Sequence, residues 1–132
     1  MSLYPSEGLP MPTDAELSVL RLLWAKGPLT VRQLHEGLSK ERDLGYTTVL
    51  KAVQVMMEKG LVDRDDSERS HVYRAAVAEG ETKGKLVSDL LAKAFAGSAS
   101  DLLVHALKAG KASPADLDAI QELLDEARRG RS

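Results

Sequence analysis

The feature that most constrains this chain is a change of hydrophobic period near residue 60. Before it, apolar residues recur at helical spacing in three consecutive stretches. After it, two short runs of strand character flank a polar turn. Thr13-Asp14-Ala15-Glu16 has the spacing of a capping box, in which Thr13 accepts from the Glu16 amide and Glu16 reaches back to the Thr13 amide. A first helix is expected from there to about Lys26, with Leu17, Leu20 and Trp24 on one side and Gly27-Pro28 as its stop. Val19, Leu22 and Leu23 widen that apolar face. Thr30 caps a second helix carrying Val31, Leu34 and Leu38, ending near Ser39. A third runs from Tyr46-Thr47-Thr48 to Lys59, with Val49, Ala52, Val53 and Met56 as its core stripe. Gly60 is placed where a left-handed residue ends a helix at low cost. Residues 61–65 and 71–74 then read as two strands around a polar turn. Three helices followed by a two-stranded wing make a winged helix-turn-helix. In that fold the third helix enters the major groove of DNA and the wing touches the backbone.

The composition shifts after Ala78. Residues 79–84 contain Gly80 and Gly84, each costing about 1 kcal/mol inside a helix, so a domain boundary and flexible joint are expected there. Helical pattern resumes with Leu86, Leu90 and Ala94 beside Val87, Leu91 and Phe95, and Gly97 breaks it. A short helix over 101–108 carries Leu102, Leu103 and Leu107. Ser113-Pro114 starts a last helix striped by Leu117, Ile120, Leu124 and Ala127. Three such helices make a poor isolated core, and a symmetric partner would close them. The residues expected at that dimer interface are Leu86, Leu90, Phe95, Leu103, Leu107, Leu117, Ile120 and Leu124. The alternative is that these helices fold back onto the winged helix in a monomer. The mainly helical chain thus divides into a flexible arm (1–12, with Pro5, Gly8, Pro10 and Pro12), a winged-helix DNA-binding domain (13–78) and a helical dimerisation domain (79–132).

Several function classes drop out. There is no cysteine, which removes disulfides, thiolate metal sites and thiol nucleophiles. His35, His71 and His105 are scattered without metal-ligand spacing. With no nucleophile motif and no phosphate loop either, neither an enzyme nor a metal or cofactor is expected. No apolar run approaches the roughly 18 residues of a membrane span, and the start carries no basic flank or apolar stretch typical of a signal peptide. A cytoplasmic protein without direct membrane binding is expected. The net charge of −2 argues against a strongly basic DNA-binding domain, since residues 1–76 hold ten Lys/Arg and eleven Asp/Glu. Any DNA surface must come from local clustering.

That clustering is found on the third helix and the wing. With Val49 facing the core, Thr47, Lys51, Gln54 and Glu58 point outward, with Leu50 and Val55 on the flanks. Thr47 and Thr48 either cap the helix or sit where its amides take a phosphate. Lys51 suits a phosphate or a guanine edge, Gln54 suits adenine, and Leu50 suits a thymine methyl. All of these are also compatible with plain solvated positions. Arg64, Arg69, His71 and Arg74 supply charge in the wing, although Arg64 and Arg74 have Asp63, Asp65 and Asp66 as neighbours for pairing. Trp24 is expected as a core anchor. A winged helix that binds only protein, without DNA, is the alternative function, and the acidic balance favours it.

Thr13-Asp14-Ala15-Glu16-Leu17 with Trp24, Leu29-Thr30-Val31 with Leu34, Tyr46-Thr47-Thr48-Val49, and Glu58-Lys59-Gly60-Leu61-Val62 with Tyr73 together resemble the penicillinase-repressor family (BlaI/MecI/CopY type). The resemblance spans roughly Pro12 to Ala127 and includes Phe95-Ala96-Gly97-Ser98. It implies a homodimeric repressor on a palindromic double-stranded operator with TACA/TGTA-like half-sites. It further implies an upstream membrane sensor or protease. By position, Tyr46, Thr47, Lys51 and Gln54 match the family's recognition helix, and Arg69 and His71 its wing. Leu50 and Val55 stand where family members often carry basic residues. The antibiotic-responsive members are cleaved at an Asn-Phe bond where this chain has His105-Ala106, and the chain contains no asparagine. The copper-responsive branch uses C-terminal cysteines that are missing here.

Overall fold

A computed structural model describes residues 10–67 and 69–130. Residues 1–9 of the expected arm, and Glu68 in the wing turn, lie outside the described residues. The elements run α1 (Asp14–Lys26), β1 (Leu29–Thr30), α2 (Val31–Leu38), α3 (Tyr46–Lys59), β2 (Val62–Asp65), β3 (Val72–Ala75), α4 (Glu79–Phe95), α5 (Ala99–Lys108) and α6 (Pro114–Arg128). The chain divides into two compact units, Met1–Ser88 and Asp89–Ser132.

The first unit is a winged helix. Thr13 and Thr30 each close a full capping box, with Glu16 and Gln33 as the reciprocal partners. Gly60 ends α3 at φ 80°, and its amide returns to the carbonyls of Met56 and Met57. Leu20, Leu34, Leu38, Val53, Met56 and Leu61 are fully buried, each apolar side chain of this kind contributing about 1.5–3 kcal/mol. α1 and α2 meet closely at Gly37, where an added Cβ would stand 2.5 Å from a Leu22 methyl. Trp24 anchors the core edge, half-buried, its indole N–H donating to the Val77 carbonyl at 3.0 Å.

The sheet departs from the expected two-stranded wing. It has three strands in the order β1-β3-β2, all antiparallel. Leu29 and Thr30 pair with Tyr73 and Val72, so the segment entering α2 also holds the base of the wing. A two-residue strand has no period, and its partner lies more than forty residues away. The helix start at Thr30 was therefore visible locally and the strand was not.

The segment expected as a flexible joint is helical. α4 begins at Glu79 and runs through Gly80 and Gly84. Thr82 is buried, and a Lys83–Glu79 pair at 2.6 Å supports the same turn. The compact units part inside this helix, after Ser88.

In the second unit, Ser98 caps α5 and Ser113 closes a capping box on α6 with Pro114 at the first turn. α5 starts two residues earlier than expected. None of its described residues is buried. Among the described residues no single helix is long and apolar enough to cross a membrane.

Candidate nucleic-acid interface

The candidate surface is built from α3, the start of α2 and the wing. Val49, Val53 and Met56 turn inward, and the 100° step per residue then places Tyr46, Thr47, Lys51 and Gln54 on the outside. Thr48, Val55 and Glu58 are exposed as well. Leu50 is half-buried and packs against the core, which leaves only part of its side chain for outside contact. The N-cap is Gly45, which makes no side-chain cap bond. Thr47 and Thr48 are therefore helical residues rather than caps, and the first-turn amides are offered to an outside acceptor.

His35 positions this helix start. Its Nε2 lies 2.9 Å from the Leu44 carbonyl oxygen in the turn before α3, so the protonated Nε2 tautomer donates there. The same ring stands edge-on to Tyr46, with centroids 5.9 Å apart at 75°. A histidine that looked isolated in the sequence thus links α2 to the first residue of α3. The far end of α3 is tied by Lys59, whose Nζ lies 2.6 Å from Glu16 Oε1. Glu16 is buried, and burial pushes its carboxyl up. Hydrogen bonds from Lys59 and the Thr13 amide outweigh that and hold it below its ordinary value.

In the wing, Arg64 binds Asp66 through Nε at 2.6 Å and Nη2 at 3.2 Å. The Nδ1 of His71 lies 2.8 Å from the same Asp66 Oδ1. Hydrogen bonds to Tyr73 and then Asp66 raise the Arg64 pKa further above its ordinary value. Asp65 accepts the Ser67 amide at 2.9 Å; that backbone bond, followed by one from the Ser67 side chain, holds its carboxyl low.

These elements enclose a cleft of ≈ 280 Å³ lined by Arg32, Tyr46, Leu50, Arg69, Ser70 and His71 among others. Of the expected DNA contacts, Tyr46, Leu50, Arg69 and His71 come together there. Thr47, Thr48, Lys51 and Gln54 stand on the exposed part of α3. Arg32 was missed by sequence reasoning, which followed only the apolar stripe of α2. Its signal was local: an exposed arginine in the first turn after the Thr30 cap.

Of the residues expected at a dimer interface, Leu90, Leu107, Leu117 and Leu124 are exposed, while Leu86, Phe95, Leu103 and Ile120 are half-buried. Leu103, Leu107 and Ile120 share an apolar groove of ≈ 380 Å³ between α5 and α6. Phe95 stacks at a tilt beside His105, with centroids 5.6 Å apart. Among the described residues no group of three or more His, Cys, Asp or Glu is placed to hold a metal ion.

Residues 12–126 match the family model described as penicillinase repressor. The chain belongs to the penicillinase repressor family. It is 39% identical over 119 residues to the transcriptional regulator BlaI of Mycobacterium tuberculosis, covering 89% of this chain and 85% of that one. It is 20% identical over 114 residues to the methicillin resistance regulatory protein MecI of Mammaliicoccus sciuri, covering 86% and 93%. Among solved structures, the monomeric form of Bacillus licheniformis BlaI in complex with the blaP half-operator is 22% identical. It covers 61% of this chain and 93% of that one, with a TM-score of 0.48. The family and these relatives are regulators rather than enzymes, and the chain is a transcriptional regulator of the same kind.

Proposed function

We propose that this protein represses transcription as a cytoplasmic homodimer bound to a palindromic operator. The observation that carries this is the cleft uniting Arg32, Arg69 and His71 with the start of α3. A concave cationic surface beside exposed helix amides suits a backbone phosphate, and α3 then lies along the groove. Lys51 and Gln54, exposed about one and two turns further on, are the base readers. The local charge of this surface meets the objection raised by the acidic net balance. Family membership supports the regulatory role.

The exposed leucines of α4, α5 and α6 support dimerisation. Leu86, Leu90, Phe95, Leu103, Leu107, Leu117, Ile120 and Leu124 are the proposed contacts. A two-fold dimer would present two recognition helices to half-sites one DNA turn apart. Derepression proceeds without cleavage of an Asn-Phe bond, because the chain has no asparagine; a membrane sensor or protease upstream would have to act on another bond or another signal.

Selection of bound sequences from a randomised duplex pool tests the proposal. Enrichment of a palindrome with half-sites about one helical turn apart is expected. No enrichment, even at low salt, would move the function to protein binding alone. Within the enriched motif, Gln54→Ala should relax one base position and cost about 1–3 kcal/mol.

A further inference from the structure

Two of the wing's basic side chains, Arg64 and His71, are already engaged from within the wing. Asp66 Oδ1 receives Arg64 Nε at 2.6 Å and His71 Nδ1 at 2.8 Å, and Asp66 Oδ2 takes Arg64 Nη2 at 3.2 Å. A carboxylate in this position makes the same bonds that a backbone phosphate would make with the same two side chains. We propose that Asp66 is an internal phosphate mimic, which the operator backbone must displace before Arg64 and His71 can hold DNA. The proposal rests on the DNA-binding function above and deepens it: Asp66 sets wing affinity without touching DNA itself.

The neighbouring acid has a different role. Asp65 holds the turn by accepting the Ser67 amide at 2.9 Å, so its removal would alter the wing's shape. Asp66 accepts only side-chain bonds among those described, and about half of its side chain is exposed. Removing its charge should therefore leave the turn folded. The exposure also limits the effect, since exposed ion pairs are weak and screened. The restraint is correspondingly modest and salt-sensitive.

The test compares Asp66→Asn with the wild-type full-length protein on the enriched duplex across a salt series. Asp63→Asn, on the adjacent strand, serves as the charge-matched control. Asp66→Asn should bind about three- to fivefold tighter at low salt. Its plot of log affinity against log salt should steepen by about 0.9, the contribution of one more neutralised phosphate. In an Arg64→Ala, His71→Ala background the gain should vanish. Unchanged affinity, an equal gain from Asp63→Asn, or a gain that persists without Arg64 and His71 would each overturn the proposal. Loss of DNA binding in every variant and in the wild type would instead remove the DNA-binding function on which it rests.

Discussion

The two compact units follow the same local rules and reach different ends. Both have well-capped helices with apolar stripes, yet every buried apolar residue described lies before Val77. In the winged helix, three stripes and a sheet converge on one another, so Leu20, Leu34, Val53 and Met56 are fully covered. In α5 and α6 the stripes remain open, with Leu123 still 64% exposed. An amphipathic pattern specifies a helix and a sticky face; it does not by itself supply a surface to cover that face. The first unit encloses its own core, whereas the second leaves apolar area for a further surface.

Core truncation should give the largest contrast. Leu34→Ala should cost about 2–5 kcal/mol in urea unfolding, whereas Leu123→Ala should leave the winged-helix transition within about 0.5 kcal/mol. Equal losses would erase the distinction between the units.

The tie between α1 and α3 should give the next effect. Glu16→Gln is expected to lower stability by about 1–3 kcal/mol at neutral pH, because it weakens charged hydrogen bonds to Lys59 and the Thr13 amide. The folded-state carboxyl is held below its ordinary 4.5, so its contribution is complete above that value and fades as the pH falls through the folded pKa. Denaturant melts of both proteins from pH 7 down to pH 3 should therefore converge at the acid end. A gap that widened on acidification would contradict the assigned direction.

A smaller effect is expected at Gly60. Its φ of 80° lies in the left-handed region that side chains with a Cβ adopt only at a cost, and Gly60→Ala should cost about 1–2 kcal/mol in thermal unfolding.

The open unit should reveal itself in association rather than in folding of the wing. Leu117→Asp with Leu124→Asp should break the proposed dimer, shifting sedimentation to monomer, while amide exchange in α1 to α3 stays unchanged. Exchange that quickened throughout the winged helix would mean that those faces are needed to fold it.

Much of this was visible in the sequence. The capping boxes at Thr13, Thr30 and Ser113, the turn at Gly60 and the stripe on α3 all depend on residues within a turn or two of one another. Backbone sterics and helix geometry act at that range, so local sequence determined where helices begin, end and turn their apolar sides. The outward set of α3, from Thr47 to Gln54, followed from the same periodicity. Only the tertiary structure decided the third strand, the Trp24–Val77 bond, the Lys59–Glu16 tie and the placing of Arg32 beside the wing. Each joins residues far apart in the chain, and such pairings depend on how whole elements pack, for which no short window of sequence carries a period.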